Sequence, residues 1–267
     1  MNRNLLSRQT LQKYVIPNLR NACRVLKLLS DKNEPASIRF VCTSLDLPRT
    51  SALRILSTLT NEGFCRKAFD RYTLGPALIP IGVSAKNVLD IIRLSKPYLK
   101  KITEKTGESC HLAIPSDDRS LVAEVNFSQH PLSSTRGAGT LVDLHSSSTG
   151  KCFLSFLHHD HLERVINLGQ LDAKTKNTIT SMQGLRDEIH KVREQGFAMD
   201  EQEFFEGVRC IAVPVFDADG ICVAAIGVTA STIRFTKSRI PDFSKIVRQE
   251  ADNLSAQLGF SGNSKLR

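Results

Sequence analysis

The stretch that most restricts this chain is Leu47-Pro48-Arg49-Thr50-Ser51-Ala52-Leu53-Arg54-Ile55-Leu56-Ser57-Thr58-Leu59, closed by Glu62-Gly63-Phe64. Ala52, Ile55, Leu56 and Leu59 recur at helical spacing, and Pro48 suits a first helical turn, where its missing N–H costs little. Arg49, Thr50, Ser51, Leu53, Arg54 and Ser57 are left on the opposite face. A helix of this kind sets its back into a small core and turns donors and positive charge outward. A helix that enters the DNA major groove has to do both. Two Arg on a surface helix are common in themselves, so the surroundings must decide.

The charge distribution supports the reading. Residues 1–83 hold 13 Lys/Arg against 5 Asp/Glu, and residues 84–267 hold 23 against 22, within totals of 36 and 27. Charge carried for solubility alone would be spread more evenly. Concentrated in the first third, it suits attraction to a polyanion, with a basic surface that has no partner as the plain alternative. Asn18 to Ser30 places Leu19, Cys23, Leu26 and Leu29 at helical spacing, with Arg20, Arg24 and Lys27 opposite. Ser37 suits the N-cap of a short helix through Leu45. Asp46 suits the turn that follows, since Asp tolerates the left-handed conformation. Residues 64–74 then suit two short strands around a turn near Asp70. Three helices and a basic wing predict a winged helix-turn-helix over residues 18–75, behind a tail at 1–17.

Gly75-Pro76 opens a helical linker, 76–106, with a kink or break expected at Pro80 and a restart at Ser95-Lys96-Pro97. Beyond Gly107 the periodicity changes. Cys110–Ile114, Leu121–Phe127, Thr140–His145, Val208–Phe216 and Ile221–Thr229 read as strands. Thr149–Leu157, His161–Leu168, Ser181–Gln195 and Pro241–Leu258 read as helices, and Asp217-Ala218-Asp219-Gly220 reads as a hairpin turn. The fold class expected is α+β, with an antiparallel sheet and helices on its faces over residues 107–260. A short tail, 261–267, follows.

Several function classes fall away. The seven Cys stand singly in apolar stretches with no Cys-x-x-Cys pair, as buried thiols of a cytoplasmic protein do. No apolar run approaches the roughly 20 residues that span a bilayer, and the N-terminus has no signal-peptide core. His158-His159-Asp160-His161 has no second cluster at ligand spacing, so no metal is expected. Lys151 follows Gly150 without a phosphate-binding loop around it. The sequence calls for no cofactor.

Taken together, the chain resembles the IclR-type bacterial transcriptional regulators over about residues 18–260. The resemblance rests on the Leu47–Leu56 segment with Gly63-Phe64 and Arg71-Tyr72-Thr73-Leu74-Gly75, and on Thr149-Gly150-Lys151 behind His145. It rests further on Gly196-Phe197-Ala198-Met199-Asp200-Glu201-Gln202-Glu203 running to Gly207–Val215, and on Ala224–Thr229. It implies a winged-helix head, a linker helix and a GAF-like effector domain. The partners implied are double-stranded operator DNA, a small organic acid and a second copy of the chain, as dimer or tetramer, with no membrane.

The DNA contacts expected are Arg49, Thr50, Ser51, Leu53 and Arg54 on the helix and Arg66, Lys67 and Arg71 on the wing. Arg bonds bidentately to guanine, and Leu53 meets a thymine methyl where family members often carry a polar residue. For the effector, the resemblance places a carboxylate on the backbone donors at Ser148-Thr149-Gly150, a helix start suited to anions. Asp200 and Cys210 match a ligand-facing pair, Gly227 and Thr229 lie where hydroxyls are common, and Val142 and Val208 supply an apolar wall. Gly227 carries no hydroxyl, and Ser148 stands where Gly is frequent, so a larger or differently polar ligand is expected. No catalytic residue is assigned. The rival from another class is a Cys-dependent enzyme joined to the DNA-binding head, pairing Cys210 with His111 or His145. A third reading is an architectural DNA binder with no effector.

Overall fold

The computed structural model describes residues 14–32, 34–88, 90–131, 136–157 and 171–262. The chain forms two compact units, Met1–Val88 and Leu89–Arg267. In the first, α1 (Pro17–Lys32), α2 (Ile38–Leu45) and α3 (Arg49–Asn61) enclose a core with β1 (Ala36–Ser37), β2 (Cys65–Ala68) and β3 (Arg71–Leu74). The helix α4 (Leu78–Val88) follows. On α3, Ala52, Ile55, Leu56 and Leu59 are buried, as the spacing requires. Burying a Leu or Ile side chain is worth about 1.5–3 kcal/mol, so this stripe anchors the helix. Ser37 Oγ accepts from the Phe40 N–H at 3.2 Å and starts α2, which ends on Asp46 at φ 51°, ψ 52°.

Two details of this unit differ from the sequence reading. The buried face of α1 is centred on Val25 and Leu29, while Leu19 is 60% exposed and Cys23 is exposed. Apolar residues span a wide arc opposite Arg20, Arg24 and Lys27, so more than one stripe was available, and packing against α3 selected Val25–Leu29. The strand β1 was not anticipated. Two residues have no readable periodicity, and β1 exists through its pairing of Ala36 with Tyr72 and Ser37 with Arg71.

The second unit begins with α5 (Asp90–Thr106), which runs unbroken through Pro97. Pro97 removes one backbone donor on the exposed side of the helix, while Ile92, Leu99 and Ile102 stay in register on the buried side. Six strands follow: β4 (Ser109–Ser116), β5 (Arg119–Asn126), β6 (Leu141–Asp143), β7 (Ala198–Glu201), β8 (Val208–Phe216) and β9 (Cys222–Ser231). They form one antiparallel sheet in the order β6-β5-β4-β9-β8-β7. The remaining helices are α6 (Ser148–Phe156), α7 (Met182–Gln195) and α8 (Ile240–Gln257).

Alternation along the central strands sorts the two faces of this sheet. Ile211, Val213 and Val215 of β8 pack with Ile226 and Val228 of β9 against α5 and α8. On the other face Ala212 and Ala225 are small, so α6 and α7 approach closely through Phe153, Leu154, Leu185 and Ile189. The expected strand at Thr140–His145 is shorter, because Ser147 Oγ donates to the Asp143 carbonyl at 2.6 Å and the chain turns into α6. The strand β7 falls within the Gly196–Glu203 motif, to which the sequence assigns no element, and it forms by pairing with β8. The expected helix at His161–Leu168 and the cluster His158–His161 lie outside the described residues.

Candidate functional site

The start of α6 is built with unusual closeness to the sheet. Ser147 Oγ accepts from the Gly150 N–H at 3.1 Å, and Thr149 Oγ1 lies 2.8 Å from Ser120 Oγ of β5. A Cβ on Gly150 would sit 2.4 Å from Leu144 Cα and 2.6 Å from the Asp143 carbonyl oxygen. Only glycine lets the helix start press on the backbone that leaves β6. The first N–H groups of a helix have no partner within it, and those of α6 lie at the edge of a cavity.

Val142, Ser148, Thr149, Asp200, Val208, Cys210 and Thr229 all line that cavity. Register explains the grouping: Asp200 of β7 stands opposite Cys210 of β8, which stands opposite Thr229 of β9, so the three side chains share one face. Gly227 is not among the lining residues. It stands opposite His111 of β4, and a Cβ there would lie 2.6 Å from the His111 Nε2. The imidazole occupies the room that a side chain at 227 would need.

Burial sets the chemistry of this cavity. It pushes the Asp200 carboxyl up to about 7, although Oδ1 accepts from the backbone N–H of Glu203 at 2.7 Å and of Phe204 at 3.3 Å. The turn so formed brings Phe204 and Phe205 to the rim, with ring centroids 5.0 Å apart. The Arg136 guanidinium lies 4.9 Å and 5.0 Å from those two centroids. Behind the turn, wholly buried Lys151 of α6 reaches Glu203 at 2.6 Å and Glu188 of α7 at 3.3 Å. Burial pushes the Glu203 carboxyl up even so. The ion cluster joins the helix start, the Asp200 turn and α7 into one rigid wall.

The Cys–His pairing weighed from sequence is not formed. Cys210 Sγ has its contact with Thr229 Oγ1 at 3.3 Å, and His145 Nε2 lies 3.1 Å from the Asp172 carbonyl. Burial pushes the Cys210 thiol well above its usual range and pulls the His111 imidazole down to about 4. A nucleophilic cysteine needs the opposite environment. Among the described residues no group of His, Cys, Asp and Glu has the geometry to hold a metal ion. No helix among them is long and apolar enough to cross a membrane.

In the first unit, Arg49, Thr50, Leu53 and Arg54 are exposed on α3 and Ser51 is half-buried. Leu53 is 47% exposed, an apolar side chain amid polar ones. The guanidinium groups of Arg49 and Arg54 engage no hydrogen bond or ion pair among the described residues. On the wing, Arg66 is exposed, the Lys67 ammonium lies 5.7 Å from the Tyr72 ring centroid, and Arg71 Nη1 donates to the Pro35 carbonyl at 3.4 Å. The wing residues and α3 therefore stand on one basic, outward-facing unit.

Residues 19–68 match the model of the IclR helix-turn-helix domain, and residues 83–256 match the model "Bacterial transcriptional regulator IclR C-terminal". The chain belongs to the IclR family. It is 27% identical over 238 residues to the HTH-type transcriptional regulator KdgR of Escherichia coli, covering 88% of this chain and 90% of that protein. It is 23% identical over 248 residues to the transcriptional repressor IclR of Escherichia coli, covering 91% and 90%. The crystal structure of an IclR transcriptional regulator from Alicyclobacillus acidocaldarius superposes with a TM-score of 0.77 at 27% identity, covering 92% of this chain and all of that one. This IclR-family chain is thus a DNA-binding transcriptional regulator with an N-terminal helix-turn-helix and a C-terminal effector domain.

Six residues that line the cavity of this regulator were not placed in the effector site from sequence: Val122, Arg136, Ser147, Phe204, Phe205, and His111, which entered only as a partner of Cys210 in the enzyme reading. Phe204 had a usable signal, since it lies four residues after Asp200, within reach of a side-chain-capped turn. Arg136 precedes Gly137 and Gly139 in a stretch without periodicity, and His111 is placed only by pairing across β9.

Proposed function

We propose that this regulator binds operator DNA through α3 and the wing, and that a small organic acid held in the C-terminal cavity controls that binding. The carrying observation is the convergence of residues from β6, α6, β7, β8 and β9 on one cavity at the start of α6, ahead of the Gly150 N–H that Ser147 caps. Unpaired N–H groups and the helix dipole favour a carboxylate there, and Arg136 adds a cation at the rim. Arg49 and Arg54 read base edges, Thr50 and Ser51 reach phosphate or a base edge, and Leu53 meets a thymine methyl. Arg66, Lys67 and Arg71 neutralise phosphates. The protein acts in the cytoplasm as a dimer or tetramer, matching two-fold half-sites about 34 Å apart.

Thermal-shift measurements against a panel of organic acids test the effector. An acid at about 100 times its Kd stabilises the protein by about 2.7 kcal/mol. The same acid is expected to change the apparent affinity for operator DNA in a gel-shift titration. A protein that no acid stabilises, yet which binds operator, would return the cavity to a purely structural role and favour the architectural reading.

A further inference from the structure

We propose that His111 decides which acid the cavity accepts, and that it selects carboxylates bearing a hydroxyl group. The inference rests on the reading of the cavity as an acid site and goes one step further, to the chemistry of the acid.

His111 lines the cavity beside Cys210 and Thr229 and is only 7% exposed. Its Nδ1 is buried without a hydrogen-bond partner. Polar groups buried in a folded protein are nearly always satisfied, so an imidazole that lines a cavity and has no hydrogen-bond partner in the protein marks a ring whose partner arrives from the cavity. Room for the ring comes from Gly227. A Cβ at that position would lie 2.6 Å from Nε2, 2.7 Å from Cε1 and 3.3 Å from the Ile211 carbonyl oxygen. The bare Gly227 and the imidazole are therefore one device. The polar group that the family resemblance leads one to expect on β9 is supplied here from β4.

The imidazole differs from a hydroxyl in what it asks of a ligand. Burial keeps it neutral at pH 7, and a neutral imidazole presents one N–H donor and one acceptor nitrogen at fixed positions. A hydroxyl on the ligand both donates and accepts, so it satisfies the ring in either tautomer, with Thr229 and the Asp200 carboxyl in the same cavity. A keto oxygen only accepts, and a methyl group does neither. The carboxylate of the same ligand is served elsewhere, at the start of α6 and by Arg136.

The test is calorimetry and thermal shift on the full-length protein with acid pairs that differ by one hydroxyl: lactate and propionate, 2-hydroxyhexanoate and hexanoate, 4-hydroxybenzoate and benzoate. The expected result is at least one pair in which the hydroxy acid binds about tenfold tighter or more, since an unpaired buried group penalises the analogue. In His111→Phe, which keeps a flat ring, that ratio is expected to fall to about twofold or less while the plain acid keeps its affinity. Equal binding of both members of every pair by the wild-type protein overturns the proposal without recourse to a variant. A preference that survives in His111→Phe overturns it too. A wild-type protein that binds none of the six acids removes the organic-acid reading itself, and this proposal with it.

Discussion

On α3, Arg49 and Arg54 stand exposed with no partner among the described residues, whereas on α6 Lys151 lies wholly buried between Glu203 and Glu188. The same contrast runs through both units. The head holds 13 basic against 5 acidic residues in its first 83 positions, and among the described residues most of its cations, Arg49, Arg54, Arg66, Lys67 and Arg71 among them, are exposed. The effector unit is nearly balanced and sets several of its charges in internal pairs. Arg209 pairs with Glu201 through Nε at 2.8 Å, and Lys105 reaches Glu250 at 2.7 Å. Exposed unpaired cations contribute little to folding and much to attraction at a distance. Buried paired ions have lost their hydration, so removing one partner strands the other. Charge in the head therefore serves recognition, and charge in the effector unit serves shape.

The hardest way to break this contrast is to delete the buried cation. Lys151→Met is expected to lower the stability of the effector unit by about 3–5 kcal/mol in urea unfolding, because Glu203 and Glu188 lose their common partner. The loss should be smaller at pH 5 than at pH 8, since the stranded carboxylates neutralise more readily in acid. An unchanged urea midpoint would mean that the cluster contributes no structure.

Asp200 sharpens the comparison through pH. Its folded carboxyl titrates near 7 and its ordinary value is 3.8, so between those limits the folded state holds a proton that the unfolded chain has released. Stability from this group is thus highest below about 4 and falls as pH rises to about 7, with no further change above. Asp200→Asn should remove this component and flatten the profile, read as Tm at pH 5 and pH 8. A variant profile that keeps the wild-type slope would place the titration elsewhere.

Arg54→Ala reverses the test. Operator affinity should fall by about 1–3 kcal/mol, while stability should move by no more than about 0.5 kcal/mol. Full operator binding by this variant would remove α3 as the reading helix. The smallest effect belongs to the wing. Arg66→Ala should weaken binding evenly across DNA sequences and reduce the salt slope of the log affinity by about 1. A change in sequence preference instead would move Arg66 from phosphate to base.

Much of the architecture was legible because it is local. The helix α3, the wing and the strands β4, β5, β8 and β9 carry their own periodicity, and the Asp217–Gly220 turn carries its own chemistry. Asp217 Oδ1 accepts from the N–H groups of Asp219 and Ile221 at 3.0 Å and 2.9 Å. The buried side of α1 was not legible, because apolar residues on several faces leave the choice to the neighbouring helix. Nor was the continuity of α5 through Pro97, where the gain comes from a sheet the helix packs against. At the cavity, Asp200, Cys210 and Thr229 were reached through motifs, and register then placed them on one face.

By itself the sequence determined where most of the helices and the longer strands form, that the first third is basic, and that the central strands have two different faces. Those properties follow from spacing within ten or twenty residues. Only the tertiary structure decided that Gly227 stands opposite His111, that Lys151 finds partners 37 and 52 residues away, and that Arg136 covers Phe204 and Phe205. Register between distant strands and the closure of loops over a cavity depend on packing energy summed over the whole sheet. No local pattern carries that sum.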